Sequence, residues 1–539
     1  VRPPPPNSAS EASGVSTTEA GFLLGFFCLL TLYVSRAIWD IDVFWHIAAG
    51  RAIVESGALP TTDIFSAVDP DRTWTTFQWG YEVLVYGLDS LGGLALVKTV
   101  HSLVMLAGFA TFWFVCRRHF RLDALLSFAL LALLVILFED RIRCRPHVFN
   151  LAAWAFLSPW LLAGGALRDA KRTWVIMGAT VFLWANLHAG GAFLFLVAAS
   201  TVPVGRTFAG FMGWGRRHPA KLRSAWIGFG VMLGAALLAP NFIRGNLQAL
   251  SMLEATESAI GEWLPAWHFF QVGTTAGHLV CGAVPVLLCA AWLLTAAAAV
   301  RDRCQHTPPW VLLLGLSLCV LSQRSVRFVW IAIFGLMLLW PHVPRPKLSA
   351  GMRKQVLVAA CTALVAIGIQ FNVYAQHGGW GETVRQAFGG PAIELRRFPS
   401  AHAEFLAETG FEGDVFCQGN WGGYLLWKLW PGVRVTADGR GNYARDVTEA
   451  LATTYDRSRF KVAGFGAELE TIYARYGVDA VVHQHPVWPK GYEVDRTRWV
   501  PVFEDRRGAI WIRNTERGRA YLAGLRDLRE AAAGQSSEP

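Results

Sequence analysis

Apolar residues along this chain fall into long runs separated by short polar clusters. The runs at 21–39, 96–115, 123–138, 147–166, 173–187, 190–208, 224–241, 277–299, 309–323, 327–342 and 355–373 are set against the ~30 Å of a bilayer's hydrocarbon. They predict about eleven transmembrane helices. The apolar stretch 78–93 is short and carries Glu82 and Asp89, which predicts a helix lying along the interface instead of crossing. The first run has no basic flank directly before it and no small-residue cleavage site after it, so it reads as a retained helix.

Beyond residue 374 the pattern changes. GDVFCQGNWGGYLLWKLWPGVRVTADGR reads as strand, turn, amphipathic helix and strand, and GVDAVVHQ as a further strand after a helix near 465–476. This predicts a soluble α/β domain over 375–539, folding on its own core and carrying a charged C-terminal helix from Arg517 to Glu530. The paired glycines of NWGGYLLW and the Asp438-Gly439-Arg440 sequence read as tight turns. Residues 1–18, rich in Pro, Ser and small polar residues, predict a disordered cytoplasmic tail, which leaves 19–374 as the membrane domain.

Charge sets the orientation. Every second connecting loop is basic: Arg117, Arg118 and Arg121; Arg168, Lys171 and Arg172; Arg206, Arg216, Arg217, Lys221 and Arg223; Arg301 and Arg303; Arg345, Lys347, Arg353 and Lys354. The positive-inside rule makes these loops cytoplasmic. The loops 40–95, 139–146, 187–190, 242–276 and 323–327, and everything after about 374, then face outward from the cytoplasmic (inner) membrane.

Composition agrees with a membrane protein. Of 539 residues 53% are hydrophobic and 16% charged, against roughly a quarter charged in soluble proteins. The net charge of +10 lies in the cytoplasmic clusters and needs no nucleic acid partner. Nine scattered cysteines without CxxC spacing speak against a zinc site or a disulfide framework. No GxxxxGK[ST] or suitable GxGxxG supports ATP-driven transport or nicotinamide chemistry, and no GxSxG or HExxH points to the familiar hydrolases.

The outward loops hold the unusual polar residues. Asp40 and Asp42 follow the first membrane helix directly, where two carboxylates can act as general base, as metal ligands, or as both. His46, four residues after Asp42, shares its helical face and is a ligand or proton-transfer candidate. Asp40, Asp42 and His46 are therefore the candidates for a divalent metal, with no cofactor assigned. Arg143 and Arg145, in FEDRIRCRPHVF, offer planar forks suited to phosphate oxygens. His188 in WANLHAGG, Glu262 in AIGEWLP, and Arg324 and Arg327 in SQRSVRF break apolar surroundings on the same side. Each also has a structural reading as an anchor, a snorkelling cation or a solvated helix end. Their convergence on one face favours a polar cavity for an anionic lipid-linked substrate.

At this point the chain resembles the C-type membrane glycosyltransferases, which include protein mannosyltransferases, lipid A aminoarabinose transferases and actinobacterial arabinosyltransferases. It is more similar still to a group of bacterial multi-pass proteins related to them. The likeness rests on Asp40, Asp42, Phe44, Trp45, His46, Gly50, Leu59, Pro60, Thr61, Asp63, Phe65 and Ser66, and on the later RPHVF, NLH, EW, RxxRF, NWGGYL and DGR stretches. The resemblance implies an α-helical polytopic fold with a C-terminal soluble α/β domain, and inverting transfer of a sugar from a polyprenyl-phosphate-linked donor. The acceptor would be a cell-envelope glycan, lipid or protein. It also implies that a carboxylate opening the first outer loop is the base, which selects Asp42 or Asp40, with Asp42 preferred for its nearness to His46. The usual Asp-Glu pairing of the mannosyltransferases is absent. Two alternatives remain open from the residues: a lipid-linked glycan transporter, and a non-catalytic assembly protein whose soluble domain binds a partner.

Overall fold

The computed structural model describes residues 17–165, 170–214, 219–256, 264–272, 275–342, 349–375, 378–440, 446–447, 465–484 and 495–535. The tail reading therefore lies outside the described residues, apart from Thr17 and Thr18, which open the first helix.

All eleven apolar runs are helical. The first four helices are α1 (Thr17–Val34), α2 (Asp42–Ser56), α3 (Trp79–Phe114) and α4 (Ala124–Leu137). They are followed by α5 (Val148–Leu162), α6 (Ala170–Leu187), α7 (Ala189–Met212), α8 (Pro219–Leu237) and α9 (Phe242–Thr256). The membrane-type helices end with α10 (Ala276–Arg301), α11 (Pro309–Arg324), α12 (Ala332–Leu339) and α13 (Ala350–Ile369). Among the described residues, four helical stretches are long and apolar enough to cross a bilayer, and a fifth if α8 and α9, bent by 87°, count as one. Five shorter apolar helices accompany them, including α1, α4, α5 and α11.

One loop holds more structure than expected: the stretch 242–276 contains α9. The first loop contains α2 and the front arm of α3, the latter over the stretch 78–93 expected to be helical. That arm is set off by a break at Gly92 and Gly93, the latter at φ +63°, a conformation open mainly to glycine.

The C-terminal region carries a five-stranded sheet in the order β2-β1-β3-β5-β4. Its strands are β1 (Gly413–Cys417), β2 (Val433–Val435), β3 (Ala480–Gln484), β4 (Trp499–Glu504) and β5 (Gly508–Arg513). β1 runs parallel to β2 and β3, while β5 is antiparallel to both β3 and β4. The helices here are α14 (Ser400–Glu408), α15 (Gly419–Leu429), α16 (Phe465–Arg475) and the C-terminal α17 (Glu516–Gln535). Gly422 and Gly423 lie inside α15, not in a turn. They serve close approach instead: a Cβ on Gly422 would meet the Ala437 carbonyl oxygen at 1.8 Å, and one on Gly423 the Ile41 carbonyl oxygen at 3.1 Å.

Two large apolar cores result. One fills the bundle around Trp154, Phe195, Trp330 and Phe334. The other joins α2 and the front of α3 to the sheet, through Phe44, Phe65, Val85, Phe398, Tyr424 and Val435. The core beneath the sheet is thus shared with the first loop. Backbone ladders reinforce the join: Ile38 N–H donates to the Ala392 carbonyl and Glu394 N–H to the Ile38 carbonyl, at 2.8 and 2.9 Å. Farther along, Ala67 and Val435 N–H donate to Val435 and Phe65 carbonyls at 2.9 and 3.0 Å, extending the sheet edge at β2.

Candidate active site

The polar residues singled out in the sequence gather at the seam between the two cores. The chain leaves α1, pairs at Ile38 with Ile393, and turns into α2 at Asp42. Asp40 Oδ1 accepts the Asp42 N–H at 2.9 Å, satisfying one of the first orphan donors of the helix. Asp42 occupies the first turn, where the helix dipole favours a carboxylate.

Arg145 reaches both acids. Its Nε donates to Asp40 Oδ1 and Oδ2 at 2.7 and 2.8 Å, and its guanidinium lies 3.1 Å from Asp42 Oδ2. The Asp40 side chain is 2% exposed and the Asp42 side chain 13%. The two acids therefore differ: Asp40 is buried and chelated, while Asp42 is partly exposed, its Oδ1 enclosed against Gly439 and its Oδ2 toward Arg145. Arg143 donates to Asp140, lies 3.8 Å from Asp40, and stacks over the Trp39 ring with its charge 4.6 Å from the centroid. Arg36 and Arg397 flank the same ring at 5.4 and 5.3 Å.

His46 is buried one turn below Asp42, its Nδ1 3.6 Å from Glu82 Oε1 and its ring edge-on to Tyr81. Burial, seconded by the charge of Arg145, holds its imidazole well below the usual histidine range, so it is neutral at pH 7. Gly50 lets the front arm of α3 approach: a Cβ there would meet the Glu82 carbonyl oxygen at 2.0 Å.

His188 caps α7, its Nδ1 accepting the Gly191 N–H at 2.9 Å, and stands 2.9 Å from Asn150 Oδ1, which also accepts from Trp184 Nε1 at 3.0 Å. The turn at 139–141 packs against the 326–331 turn, which carries Arg327. Arg324 ends α11 and is exposed. Glu262 lies outside the described residues. The first three outward loops thus meet, and the fifth adjoins them where the turn carrying Arg327 packs on 139–141.

The C-terminal sheet region supplies residues whose roles the sequence left as turn chemistry. A Cβ on Gly439 would fall 2.0 Å from Asp42 Oδ1 and 3.2 Å from Trp45 Nε1. The neighbouring Arg440 donates to both Asp438 oxygens and, at 2.7 Å, to Asp63 Oδ1. Burial pulls the Arg440 guanidinium down, but Asp438 and Asp63 outweigh it and hold it above its ordinary value. Burial pushes Asp63 up against the opposing pull of Arg440.

The metal candidates are differently engaged. Both Asp40 oxygens face Arg145 and His46 Nδ1 faces Glu82. Among the described residues no three His, Cys, Asp or Glu side chains are grouped to hold a metal ion.

No protein-family profile and no curated protein matches the chain. Solved structures do. The archaeal oligosaccharyltransferase AglB from Archaeoglobus fulgidus, in complex with an inhibitory peptide and a dolichol-phosphate, aligns over 87% of this chain and 70% of its own at TM-score 0.54 and 13% identity. The apo oligosaccharyltransferase of the same organism aligns over 86% and 69%, at TM-score 0.52 and 12% identity. The chain has the C-type glycosyltransferase fold. ArnT from Cupriavidus metallidurans bound to undecaprenyl phosphate aligns over 93% and 99% at 13% identity, with TM-score 0.47, and the fold assignment does not depend on it. Within the C-type fold, Asp40 and Asp42 stand at the seam between the helical bundle and the sheet-bearing region.

Proposed function

We propose that this protein transfers a sugar from a polyprenyl-phosphate-linked donor to an acceptor hydroxyl at the outer face of the cytoplasmic membrane, with 19–374 in the membrane and 375–539 outside. The observation that carries the reading is Asp42: a partly open carboxylate opening α2, beside Arg145 and at the seam of a C-type fold. The dolichol-phosphate bound by AglB supports the donor class by analogy.

In this reading Asp42 takes the acceptor proton as the acceptor oxygen attacks the anomeric carbon. The bond from that carbon to the phosphate oxygen breaks, its electron pair leaves on the polyprenyl phosphate, and the anomeric configuration inverts. Asp40 is the weaker base candidate, because Arg145 chelates both its oxygens. Arg143, Arg145, Arg324 and Arg327 hold the leaving phosphate as charge develops on it, Arg143 and Arg145 sharing their forks with the acids they already face. No step is routed through a metal. His46 and His188 shape the site as neutral groups.

Native mass spectrometry of detergent-purified protein should show bound polyprenyl phosphate in the wild type and its loss in an Arg143→Ala, Arg324→Ala double variant. With a panel of undecaprenyl-phosphate-linked pentoses and hexoses, release of lipid phosphate should fall on the order of a hundredfold or more in Asp42→Asn. Unchanged release would end the base assignment. The contact of Gly439 on Asp42 favours one second reading, in which the acids clasp two domains and catalyse nothing. That reading predicts that Asp42→Asn loses stability and that the wild type turns over no donor.

A further inference from the structure

The Asp438-Gly439-Arg440 turn buries charges that take no part in the proposed mechanism. Arg440 and its two partners are almost completely enclosed, with side-chain exposures of 5% for Arg440, 4% for Asp438 and 1% for Asp63. Its guanidinium also stacks against Phe65 and Trp74, at 5.1 and 4.8 Å. Burying three charges in this way costs desolvation that their attraction only offsets when geometry is good, so such a cluster is a poor source of stability. What it does supply is a fixed place. Arg440 joins positions 63 and 440, 377 residues apart, and the Phe65–Val435 ladder beside it holds the same two segments in register.

The residue held in place is Gly439, against Asp42 Oδ1. Any side chain at 439 would displace either the carboxylate or the turn. Resting on the reading of Asp42 as base, we infer that Arg440 is a positioning residue: through Asp63 and Asp438 it seats Gly439 on the Asp42 carboxylate, so the soluble domain sets the direction of the base. Arg440 touches no substrate in this scheme. The fork geometry matters as well as the charge, because a single ammonium cannot satisfy two carboxylates in parallel.

The test uses the full chain in detergent or nanodiscs, with two readouts. The first is carbodiimide and glycine ethyl ester labelling of Asp42, read by peptide mass spectrometry against the exposed Asp71 as internal standard. The second is release of lipid phosphate from the same donor panel, resolved into kcat and KM. Gly439→Ala, which leaves the ion cluster intact, should raise Asp42 labelling severalfold and lower kcat roughly a hundredfold, since a displacement near 1 Å costs about that much. Donor KM should stay unchanged. Arg440→Gln should do the same and Arg440→Lys should recover part of the loss, while Lys428→Ala, an exposed cation of the same domain, should match wild type. Wild-type labelling and kcat in Gly439→Ala would overturn the inference, even if Arg440→Gln fails to fold. Full activity in Asp42→Asn would instead overturn the base reading on which it rests.

Discussion

The bundle core and the sheet core are both dense and aromatic, yet different solvents hold them together. In the bundle, Trp154 packs edge-on to Phe195 at 5.0 Å and to Trp330 at 5.6 Å, and Trp330 meets Phe138 at 5.4 Å. In the sheet core, Phe44 of α2 meets Phe398 at 4.7 Å and Tyr424 at 4.9 Å. Lipid tails are as apolar as leucine, so bundle residues gain packing but little hydrophobic transfer energy. The sheet core excludes water and gains both. The charged residues lie between, where neither core can absorb them singly, and Arg145 answers by pairing with two acids at once. A catalytic carboxylate on α2 would then be carried by the water-driven core while its cationic partner hangs from the lipid-facing one.

The strongest way to break this comparison is to remove the seam's central cation. Arg145→Ala would leave Asp40 buried at 2% exposure without its chelating partner. Unpairing a buried charge costs about 3–5 kcal/mol, so thermal unfolding in detergent should move sharply down. If Asp40→Asn in the same background restores most of the loss, the pair acts as a seam between cores. An Arg145→Ala protein with wild-type stability would show that the acids are solvated and the seam is open.

A smaller effect sharpens the contrast between the cores themselves. Leu425 in the sheet core and Leu314 in the bundle core are both 0% exposed. Leu425→Ala loses transfer energy and leaves a cavity, about 3 kcal/mol together. In lipid, Leu314→Ala keeps mainly the cavity term and should cost roughly half as much. Hydrogen exchange should then rise over α2, β1 and β3 in the first variant and over α11 and α7 in the second. Spread of the Leu425→Ala effect into α11 would mean one cooperative unit, not two.

What was legible in the sequence follows the same division. Apolar helices announce themselves by run length, so a helix could be read at each of the eleven runs, although only four or five described stretches are long enough to cross a bilayer and α1 stops at Val34 instead of continuing to Trp39. The strands β1, β2 and β3 were readable because each holds valines in a short segment, GDVFC, VRV or AVVHQ, set off by glycine-bearing turn sequences or a helix. The β4–β5 hairpin was not, since Pro501 and the charges of EDRRG dilute its alternation and its edge faces water. At the site, polar residues beside apolar runs marked Asp40, Asp42, Arg143 and Arg145 as unusual. Their pairing could not be read, because Arg145 and Asp40 are 105 residues apart and Arg440 and Asp63 are 377 apart. Residue type likewise singled out Arg145 for phosphate but gave no sign of its pairing with Asp40 and Asp42. The NWGGYL glycines looked like a turn because glycine signals turns more often than helix-to-helix contact.

The mildest perturbation of the seam is a proton. His46 is buried with its pKa held well below the ordinary value, so the folded protein leaves it neutral while the unfolded chain protonates it below about pH 6.5. Its contribution is therefore fully present above that pH and is lost as pH falls, because the unfolded state binds the extra proton. One such group accounts for about 1.4 kcal/mol per pH unit. Comparing wild type with His46→Gln between pH 7.5 and 5.5, the variant should lose less stability on acidification, by roughly that slope below pH 6.5. Identical slopes would mean that His46 takes up its proton in the folded state as easily as in the unfolded chain. Glu82, 3.6 Å away and pushed up to about 8 by burial, would then have to ionise to pair with the imidazolium, and the pair would belong to the polar seam instead of the sheet core.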